Sequence, residues 1–548
     1  MKEIFRPKLF SVIKKGYSKQ QFTKDLFAGI IVGIVALPLA IAFAVASGVS
    51  PEKGLITAVV AGFLISFFGG SRVQIGGPTG AFIVIVFGIV SQYGINGLII
   101  STILAGIMLI AFGFLKLGSL LKFIPHSLIV GFTSGIALVI FSTQIKDALG
   151  LETGKLPTEF IDKWYVYYKS IHSINYISLT ITVVTILIAQ FFSKITNKIP
   201  GTFVAIILTT TIVAIFKLPV TTIETLFGDI QSNISFDIPS IDLSNISVYF
   251  APALTIALLG AIESLLSAVV ADGMIGSNHR SNTELIAQGI ANIITPFFGG
   301  IPATGAIART ATNIKNGGRT PVAGIVHAIT LLMIVLFFGH FAKLIPMSAL
   351  AGILILVSYN MSEWRSFRSI LKGSAFDIII LLTTFFLTVL LDLTIAIQVG
   401  VVLSAVLFMK RMADNGQAVL KDKDTEILEN YGSLPSGLEV YEISGPFFFG
   451  AAKHYSEVLK NHASNTKVLV IRMRHVPFID ATGIHNFKEV LNQLKSGKKH
   501  ILLSGVQPSV RKELDKSRIS FLVGKANIFD NFNDAVTKAE ILLKQNKL

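Results

Sequence analysis

Long apolar segments follow one another through most of this chain, and they restrict its fold more than any other feature. Of the 548 residues, 52% are hydrophobic and only 14% are charged, and the apolar segments lie between residues 26 and 411. A helix of about 17–25 apolar residues spans the hydrocarbon core of a bilayer, where every backbone polar group must be bonded within the protein. The sequence therefore predicts an α-helical polytopic membrane protein.

The segment boundaries predict fourteen spans and three regions. The predicted spans cover residues 26–47, 53–69, 76–92, 96–115, 124–145, 174–192, 200–217, 248–272, 284–298, 303–314, 320–341, 346–360, 375–392 and 394–409. The regions are a cytoplasmic N-terminal segment at 1–25, a transmembrane domain at 26–411 and a soluble domain at 435–548, where charge density is high. In the soluble domain, strand-like runs alternate with helical ones, which is typical of an α/β sheet.

Charged residues predict the topology. If the N-terminus is cytoplasmic and the spans alternate, the inner connections hold most of the lysines and arginines, as the positive-inside rule requires. An even number of spans then places both termini in the cytoplasm, so we expect a multi-pass protein of the cell (inner) membrane. The net charge of +15 is explained by these flanking residues, and we expect no nucleic-acid partner.

Several kinds of chemistry are excluded or not expected. The chain has no cysteine, which excludes disulfides, thiolate metal sites and cysteine nucleophiles. The histidines lack the spacing of a metal site, so we expect no bound metal. No catalytic motif fits its structural context, and we therefore expect neither an enzyme nor a cofactor.

Two short segments, one in each half of the predicted membrane domain, are nearly identical. Phe-Phe-Gly-Gly at 67–70 precedes Pro-Thr-Gly-Ala at 78–81, and Phe-Phe-Gly-Gly at 297–300 precedes Ala-Thr-Gly-Ala at 303–306. The halves extend over about 26–218 and 248–411, with seven predicted spans each. Because seven is odd, the second half enters the membrane from the opposite side. The sequence therefore predicts an inverted repeat, and paired interruptions of this kind indicate a transporter's binding site.

Each of these breaks predicts a half-helix that begins near the middle of the membrane. Pro78 and Pro302 suit the first turn of a helix, where a missing N–H costs nothing. The N–H groups that follow would bind an anion at the positive end of the helix dipole. Thr79 and Thr304 add hydroxyl groups at matching positions. The alternative is that Gly and Thr only allow the helices to pack closely.

Glu263 lies in the middle of a predicted span, at the position that Pro38 occupies in the first half. A carboxylate there costs about 2.5–3.5 kcal/mol on insertion, so we expect it to face a cavity or a partner. It could carry a proton across the membrane, or it could hold Na⁺ with Ser267 or Thr304. A further interpretation is a structural carboxylate bonded to free N–H groups of a broken helix.

Arg309 lies on the second half-helix, and an arginine within a membrane span is rare. It could bind an anion, or it could anchor the span at the inner boundary beside Lys315 and Arg319. Phe43 and Phe82 could form walls of the site. Since the chain has 41 phenylalanines, packing or lipid contact is the ordinary role of any one of them.

Four segments carry a family pattern. Residues 38–44 with Gly48, Pro51 and Gly54 resemble the first-helix signature of the sulfate permease (SulP) family of anion transporters. Gly-Ala-Ile-Glu-Ser and the following residues, at 260–274, resemble its eighth helix, and 308–313 resemble its tenth. Residues 468–473 and 478–483 resemble a STAS domain.

The resemblance implies a seven-plus-seven inverted repeat divided into core and gate domains, a homodimer, and an elevator-like motion. It places the substrate pocket at Phe43, Phe82, Thr304, Gly305, Ala306 and Arg309. It also makes Glu263 the coupling acid. Na⁺-coupled bicarbonate members have Asp at that position, so Glu favours proton coupling. Leu39 stands where animal members have Gln, which argues against transferring their substrate preference.

The resemblance also makes Thr482 a candidate regulatory residue. Stand-alone STAS proteins are phosphorylated at the third position of an Asp-Ser-Ser/Thr-Gly loop, which corresponds to Thr482, while Ala481 replaces the neighbouring Ser. A phosphate at a helix N-terminus is favourable. The alternative, which we prefer in a transporter, is that Thr482 only caps the helix. A cytoplasmic partner of this domain is a further expectation.

Together these features predict a secondary active transporter of a small anion by proton-coupled symport. Sulfate, bicarbonate and a C4-dicarboxylate remain open as substrates, because backbone N–H groups bind any small oxyanion. The alternatives are a Na⁺-coupled bicarbonate symporter, an uncoupled anion channel, and an anion receptor linked to the STAS domain.

Overall fold

The computed structural model describes residues 5–119, 125–154, 156–157, 159–195, 200–228, 236, 246–391, 393–414, 417–420, 434–462 and 466–545. The chain divides into two compact units, Met1–Val402 and Leu403–Leu548. The α-helices before the soluble domain are α1 Lys8–Lys15, α2 Lys19–Ala46, α3 Pro51–Phe68, α4 Ile83–Phe114, α5 His126–Leu149, α6 Phe160–Lys169, α7 Tyr176–Phe191, α8 Gly201–Phe216, α9 Ile223–Phe227, α10 Phe250–Ile275, α11 Ser281–Ile294, α12 Ile307–Lys315, α13 Val322–Phe338, α14 Met347–Met361, α15 Trp364–Ile370, α16 Ala375–Leu390 and α17 Leu393–Asp414.

Each predicted span overlaps one of these helices. The third and fourth spans both overlap α4, which is interrupted at Gly94, where φ is 68° and ψ is −173°. In the described part of the chain, seven helices are long and apolar enough to cross a membrane, and three shorter apolar helices have 10–17 residues. The α-helical membrane fold is confirmed, and the number of fourteen spans stays a prediction.

The helices of the first unit pack in two groups, which correspond to the expected core and gate. Helices α2, α3, α4, α10, α11, α12 and α13 pack on one another, and α5, α7, α8, α14 and α16 form the second group. Small residues allow close contact in the first group. A Cβ on Gly106 of α4 would lie 2.7 Å from the carbonyl oxygen of Gly289 in α11, and a Cβ on Gly289 would lie 2.5 Å from that of Gly106. Membrane helices commonly pack on such residues.

The two sequence breaks meet as a short pair of strands. β1, Gly76–Gly77, pairs antiparallel with β2, Thr304–Gly305. A 3₁₀ turn at Gly80–Phe82 then leads into α4, and α12 begins only at Ile307. The prediction that Pro78 and Pro302 occupy first turns of helices is therefore wrong. Pro78 lies between β1 and the 3₁₀ turn, and Pro302 lies two residues before β2. Neither begins a helix, because the strands beside them bond their backbone groups across the two breaks.

The soluble domain contains a five-stranded sheet. Its strands, in spatial order, are β3 Gln417–Leu420, β4 Leu438–Ser444, β5 Val468–His475, β6 His500–Ser504 and β7 Ile528–Phe529. The strands from β4 to β7 are parallel, and β3 is antiparallel to β4. Its helices are α18 Ala452–His462, α19 Ala481–Ser496, α20 Pro508–Lys516, α21 Ile519–Val523 and α22 Phe532–Gln545.

The central strand β5 explains why this domain needs both layers of helices. Val468 and Val470 pack into one hydrophobic cluster with residues of α22, whereas Leu469 and Ile471 pack into another with residues of α18 and α19. A run of consecutive buried apolar residues, such as 468–471 of β5, is typical of a parallel sheet covered on both faces. The predicted α/β architecture of the soluble domain is confirmed.

Candidate functional site

The paired breaks bring most of the predicted site residues together inside the first group of helices. Buried side chains come from α2, from the two breaks, and from α10 and α12. These residues are Phe43, Thr79, Phe82, Ser267, Thr304, Gly305, Ala306 and Arg309. Glu263 of α10 is partly exposed at the edge of this cluster. All of them lie on helices of the first group or on the breaks attached to it.

Arg309 is the central cation of this cluster. Its side chain is 1% exposed, and Nη2 donates a hydrogen bond to the carbonyl oxygen of Pro78 at 2.9 Å. The guanidinium carbon lies 6.0 Å from the centre of the Phe43 ring, which is within cation–π range. Among the described residues, Nη1 has no hydrogen-bond partner. A buried cationic donor without a partner can donate a strong hydrogen bond to an anion.

Gly77 makes room for this guanidinium. Its φ of 151° lies in a region that favours glycine, and a Cβ at this position would lie 2.4 Å from Nη1 of Arg309. Backbone atoms of the first break therefore lie close to the guanidinium, because Gly77 has no side chain that would separate them.

Glu263 contacts the same break from the other side. Its Oε2 accepts a hydrogen bond from the Thr79 hydroxyl at 2.9 Å. Arg309 bonds to Pro78 and Glu263 bonds to Thr79. The two ionisable residues of the second half therefore hold consecutive residues of the first break.

The remaining predicted residues bond to both halves of the domain. The Thr304 hydroxyl donates to the carbonyl oxygen of Gly260 at 2.8 Å, and the N–H of Ala306 donates to the carbonyl of Ile75 at 2.8 Å. Ser267 donates to the Thr310 hydroxyl at 3.3 Å. The N–H of Ala306 is thus occupied in this structure. Helix α12, which starts one residue later, still presents first-turn N–H groups that have no partner within the helix.

Gln74 is a buried site residue that the sequence interpretation missed. Its Nε2 donates to the carbonyl oxygen and the hydroxyl of Ser264, at 3.2 and 3.0 Å. A Cβ at position 305 would lie 1.5 Å from this Nε2, so the amide occupies the space that Gly305 leaves open. Its Oε1 has no hydrogen-bond partner among the described residues. Ser71 and Arg72 lie close to it in the same break, so nothing in the sequence distinguishes this amide.

A second missed feature is a buried polar stripe on α11. Glu284, Gln288 and Asn292 follow at intervals of four residues, which places them on one helix face, and none of them is exposed. Glu284 accepts from the N–H groups of Gly70 and Ser71 and from Gln288.

The stripe ends at the second break. Asn292 donates to the carbonyl oxygen of Ala303 at 2.8 Å and accepts from the N–H of Ala303 at 2.9 Å. The stripe therefore joins the loop after α3 to the residue that precedes Thr304.

Thr482 is exposed at the beginning of α19 in the soluble domain. The cap of this helix is Asp480, whose Oδ1 accepts from the N–H of Gly483 at 2.7 Å. The interpretation that Thr482 caps the helix is therefore wrong, because an aspartate two residues earlier fills that role. Asp480 also accepts from the N–H of Phe449 through Oδ2.

Comparison with known proteins identifies the family. The sequence matches the Sulfate permease family over residues 22–384 and the STAS domain over residues 435–535. The Bacillus subtilis protein named "Putative sulfate transporter YvdB" is 41% identical over 528 residues, which cover 96% of this chain and 99% of that protein. The protein named "Bicarbonate transporter BicA" of Synechocystis sp. is 30% identical over 545 residues, covering 95% of this chain and 94% of its own length.

Two solved structures share the fold. The murine anion transporter Slc26a9 in the inward-facing state superposes with a TM-score of 0.87 at 18% identity, covering 97% of this chain and 94% of its own. The transmembrane domain of a cyanobacterial bicarbonate transporter, BicA, gives a TM-score of 0.64 at 31% identity over 70% of this chain and 98% of its own. The chain therefore belongs to the sulfate permease family of anion transporters and carries a C-terminal STAS domain.

Proposed function

We propose that this chain is a secondary active transporter that moves a small oxyanion across the cell membrane together with a proton. Sulfate and bicarbonate are the leading substrates, because one relative is named as a putative sulfate transporter and another as a bicarbonate transporter. A C4-dicarboxylate is the third class. The observation that carries the proposal is the buried Arg309 guanidinium beside the paired breaks. Its Nη1 has no partner among the residues described.

The positions of Arg309 and Glu263 on either side of Pro78 and Thr79 support coupling to a proton. When Glu263 is ionised, its carboxylate competes with the substrate for the guanidinium. It also repels the substrate anion, and this repulsion is strong where water is scarce. When Glu263 is protonated, the cation is free to attract the anion. The loaded site then also carries one negative charge fewer through the membrane, where buried charge is expensive.

The grouping of the helices supports an elevator-like motion. The site residues belong to α2, α10, α12 and the two breaks, all within the first group of packed helices. Because no site residue comes from the second group, the first group could carry the bound anion as one body. We include in the proposal a homodimer in the cell (inner) membrane with both termini in the cytoplasm.

Sodium coupling is the second candidate for the same site. Glu263 and Thr304 supply oxygen atoms of the kind that cations prefer, and Thr304 lies in β2 next to α10. In this version Na⁺ at Glu263 would replace the proton, and the anion would still bind at Arg309.

Anion binding to Arg309 variants tests the site. Isothermal calorimetry of the purified protein with sulfate and with bicarbonate should show weaker binding for Arg309→Ala by about 10- to 100-fold. This range follows because hydrogen bonds to charged groups contribute about 1.5–3 kcal/mol. Arg309→Lys should lose less, since the charge remains.

The matched control is Arg365→Ala. Arg365 lies on α15 and is exposed, with its guanidinium carbon 5.4 Å from the ring of Trp364. This variant should bind the anion like the unmodified protein. Equal affinity of the Arg309→Ala variant and the unmodified protein would remove Arg309 from the substrate site.

A further inference from the structure

Lys163 is a buried lysine far along the chain from the central site. It lies on α6, the short helix between α5 and α7, and its side chain is only 4% exposed. It lines two cavities of about 500 and 180 Å³. The larger cavity is bounded by α4 and α10 on one side and by α5, α6 and α16 on the other.

Lys163 has no ion-pair partner in the part of the chain that the structure describes. Glu159 and Asp147 line the cavities without pairing with it. The pKa of Lys163 is lowered by burial, and no nearby charge opposes this shift. Lysine is almost never buried unless it is paired, so an unpaired ammonium group at a cavity is suited to bind an anion.

The larger cavity follows the first half-helix away from the central site. It begins at Val84 and Ile85, two and three residues after Phe82, and it ends at Gln92 and Tyr93. Those ends are about 12 Å apart along the helix at 1.5 Å per residue. Positive-inside topology assigns α6 and the interruption of α4 at Gly94, which follows Tyr93, to the outer face of the membrane. The cavity therefore runs between the outer face and the wall of the central site.

We propose that Lys163 and this cavity form an outer entry site that holds a small oxyanion before it reaches Arg309. The inference rests on the proposed function for the direction of transport, whereas binding at Lys163 is a separate property. The ligand class is a sulfate- or bicarbonate-sized anion, because the ammonium group, the hydroxyl of Ser91 and the amide of Gln92 line the same cavity and can donate hydrogen bonds to oxygen atoms.

The absence of cysteine in the chain makes a direct test available. Ser91→Cys would place one thiol in the cavity, and Ser91 is exposed there. On intact cells, this thiol is modified by two thiosulfonate reagents, one with an anionic sulfonate group and the other with a cationic ammonium group. The rate of each reaction is measured with and without sulfate. When Lys163→Gln is combined with Ser91→Cys, the ratio of the anionic reagent's rate to the cationic reagent's rate should fall about threefold to tenfold. Sulfate should slow the anionic reagent only while Lys163 is present.

Two further substitutions, each combined with Ser91→Cys, serve as controls. Lys163→Arg keeps the charge and should keep both the rate ratio and the protection by sulfate. Lys169→Gln removes an exposed lysine of the same helix, whose Nζ lies 4.4 Å from the Tyr165 ring, and should change neither. If the Lys163→Gln variant does not fold, the Ser91→Cys variant that retains Lys163 still tests the entry site, through the protection of its single thiol by sulfate.

The outcomes separate this inference from the proposed function. An unchanged rate ratio in Lys163→Gln, or a failure of sulfate to protect the thiol, would overturn the entry site even if transport is observed. Protection that depends on Lys163 supports it even if the protein moves no anion in a flux assay.

Discussion

Arg309 and Glu263 show how a symmetric backbone acquires asymmetric chemistry at the scale of single residues. Both belong to the second half, yet they bond to Pro78 and Thr79 of the first, over separations of 231 and 184 residues. The sequence indicates both side chains because ionisable groups in apolar spans are rare. It does not indicate Gln74, whose partner Ser264 lies 190 residues away, because an amide in a loop carries no such signal.

Gly305→Ala tests whether Gln74 shapes the pocket. The new Cβ would overlap Nε2 of Gln74, 1.5 Å away, so the amide must leave Ser264. We expect a loss of roughly 1–3 kcal/mol in the free energy of unfolding, as for other overpacked sites, and weaker anion binding. Thermal unfolding and calorimetry of the purified protein measure the two effects.

Gly273→Ala is the control, because a Cβ on this glycine of α10 meets nothing within 4 Å. This change should be neutral or slightly stabilising, since alanine favours a helix over glycine. If Gly305→Ala behaves like Gly273→Ala, Gln74 does not constrain the pocket.

At the scale of elements, the breaks differ from simple helix starts. The sequence predicts the half-helices from their Gly and Pro content, and α12 and the first part of α4 are present as expected. The pairing of β1 with β2 was not predictable, because it depends on contacts between residues more than 200 positions apart, such as Gly76 with Gly305. Helix α11 supports this pair through its buried polar stripe.

Asn292→Ala tests the role of α11. The substitution removes both hydrogen bonds to Ala303 and leaves its buried N–H and C=O groups unpaired. Each unpaired group should lower the free energy of unfolding by roughly 1–3 kcal/mol. We expect faster hydrogen exchange at residues 303–306 and weaker anion binding, because the segment before α12 is no longer fixed. Mass spectrometry of exchange in the purified full chain measures the first effect.

Asn316→Ala removes one comparable bond, from Nδ2 to the Thr312 carbonyl at 2.9 Å, outside the breaks. It should leave exchange at 303–306 unchanged. Slow exchange at these residues in Asn292→Ala would show that the β pair holds the segment without α11.

At the scale of the whole molecule, the sequence predicts the architecture well and its details less completely. The apolar runs indicate a helical membrane fold, and strand-like segments at β4, β5 and β6, which alternate with helical ones, indicate the α/β domain. Strand β7 has only two residues and β3 only four, so neither gives a clear alternating pattern. The amphipathic helices α1 and α6 are also absent from the predicted spans, because a count of long apolar runs does not detect them.

The central claim is that Glu263 couples a proton to anion movement through the site at Arg309. Uptake of labelled sulfate, bicarbonate and fumarate into liposomes, with an imposed H⁺ or Na⁺ gradient, tests it most directly. The unmodified protein should accumulate at least one anion when the entry side is acidic. Glu263→Gln should lose this pH-gradient dependence while anion binding remains measurable. Uptake by Glu263→Gln with an undiminished response to the pH gradient, or uptake driven only by Na⁺ in the unmodified protein, would contradict the account.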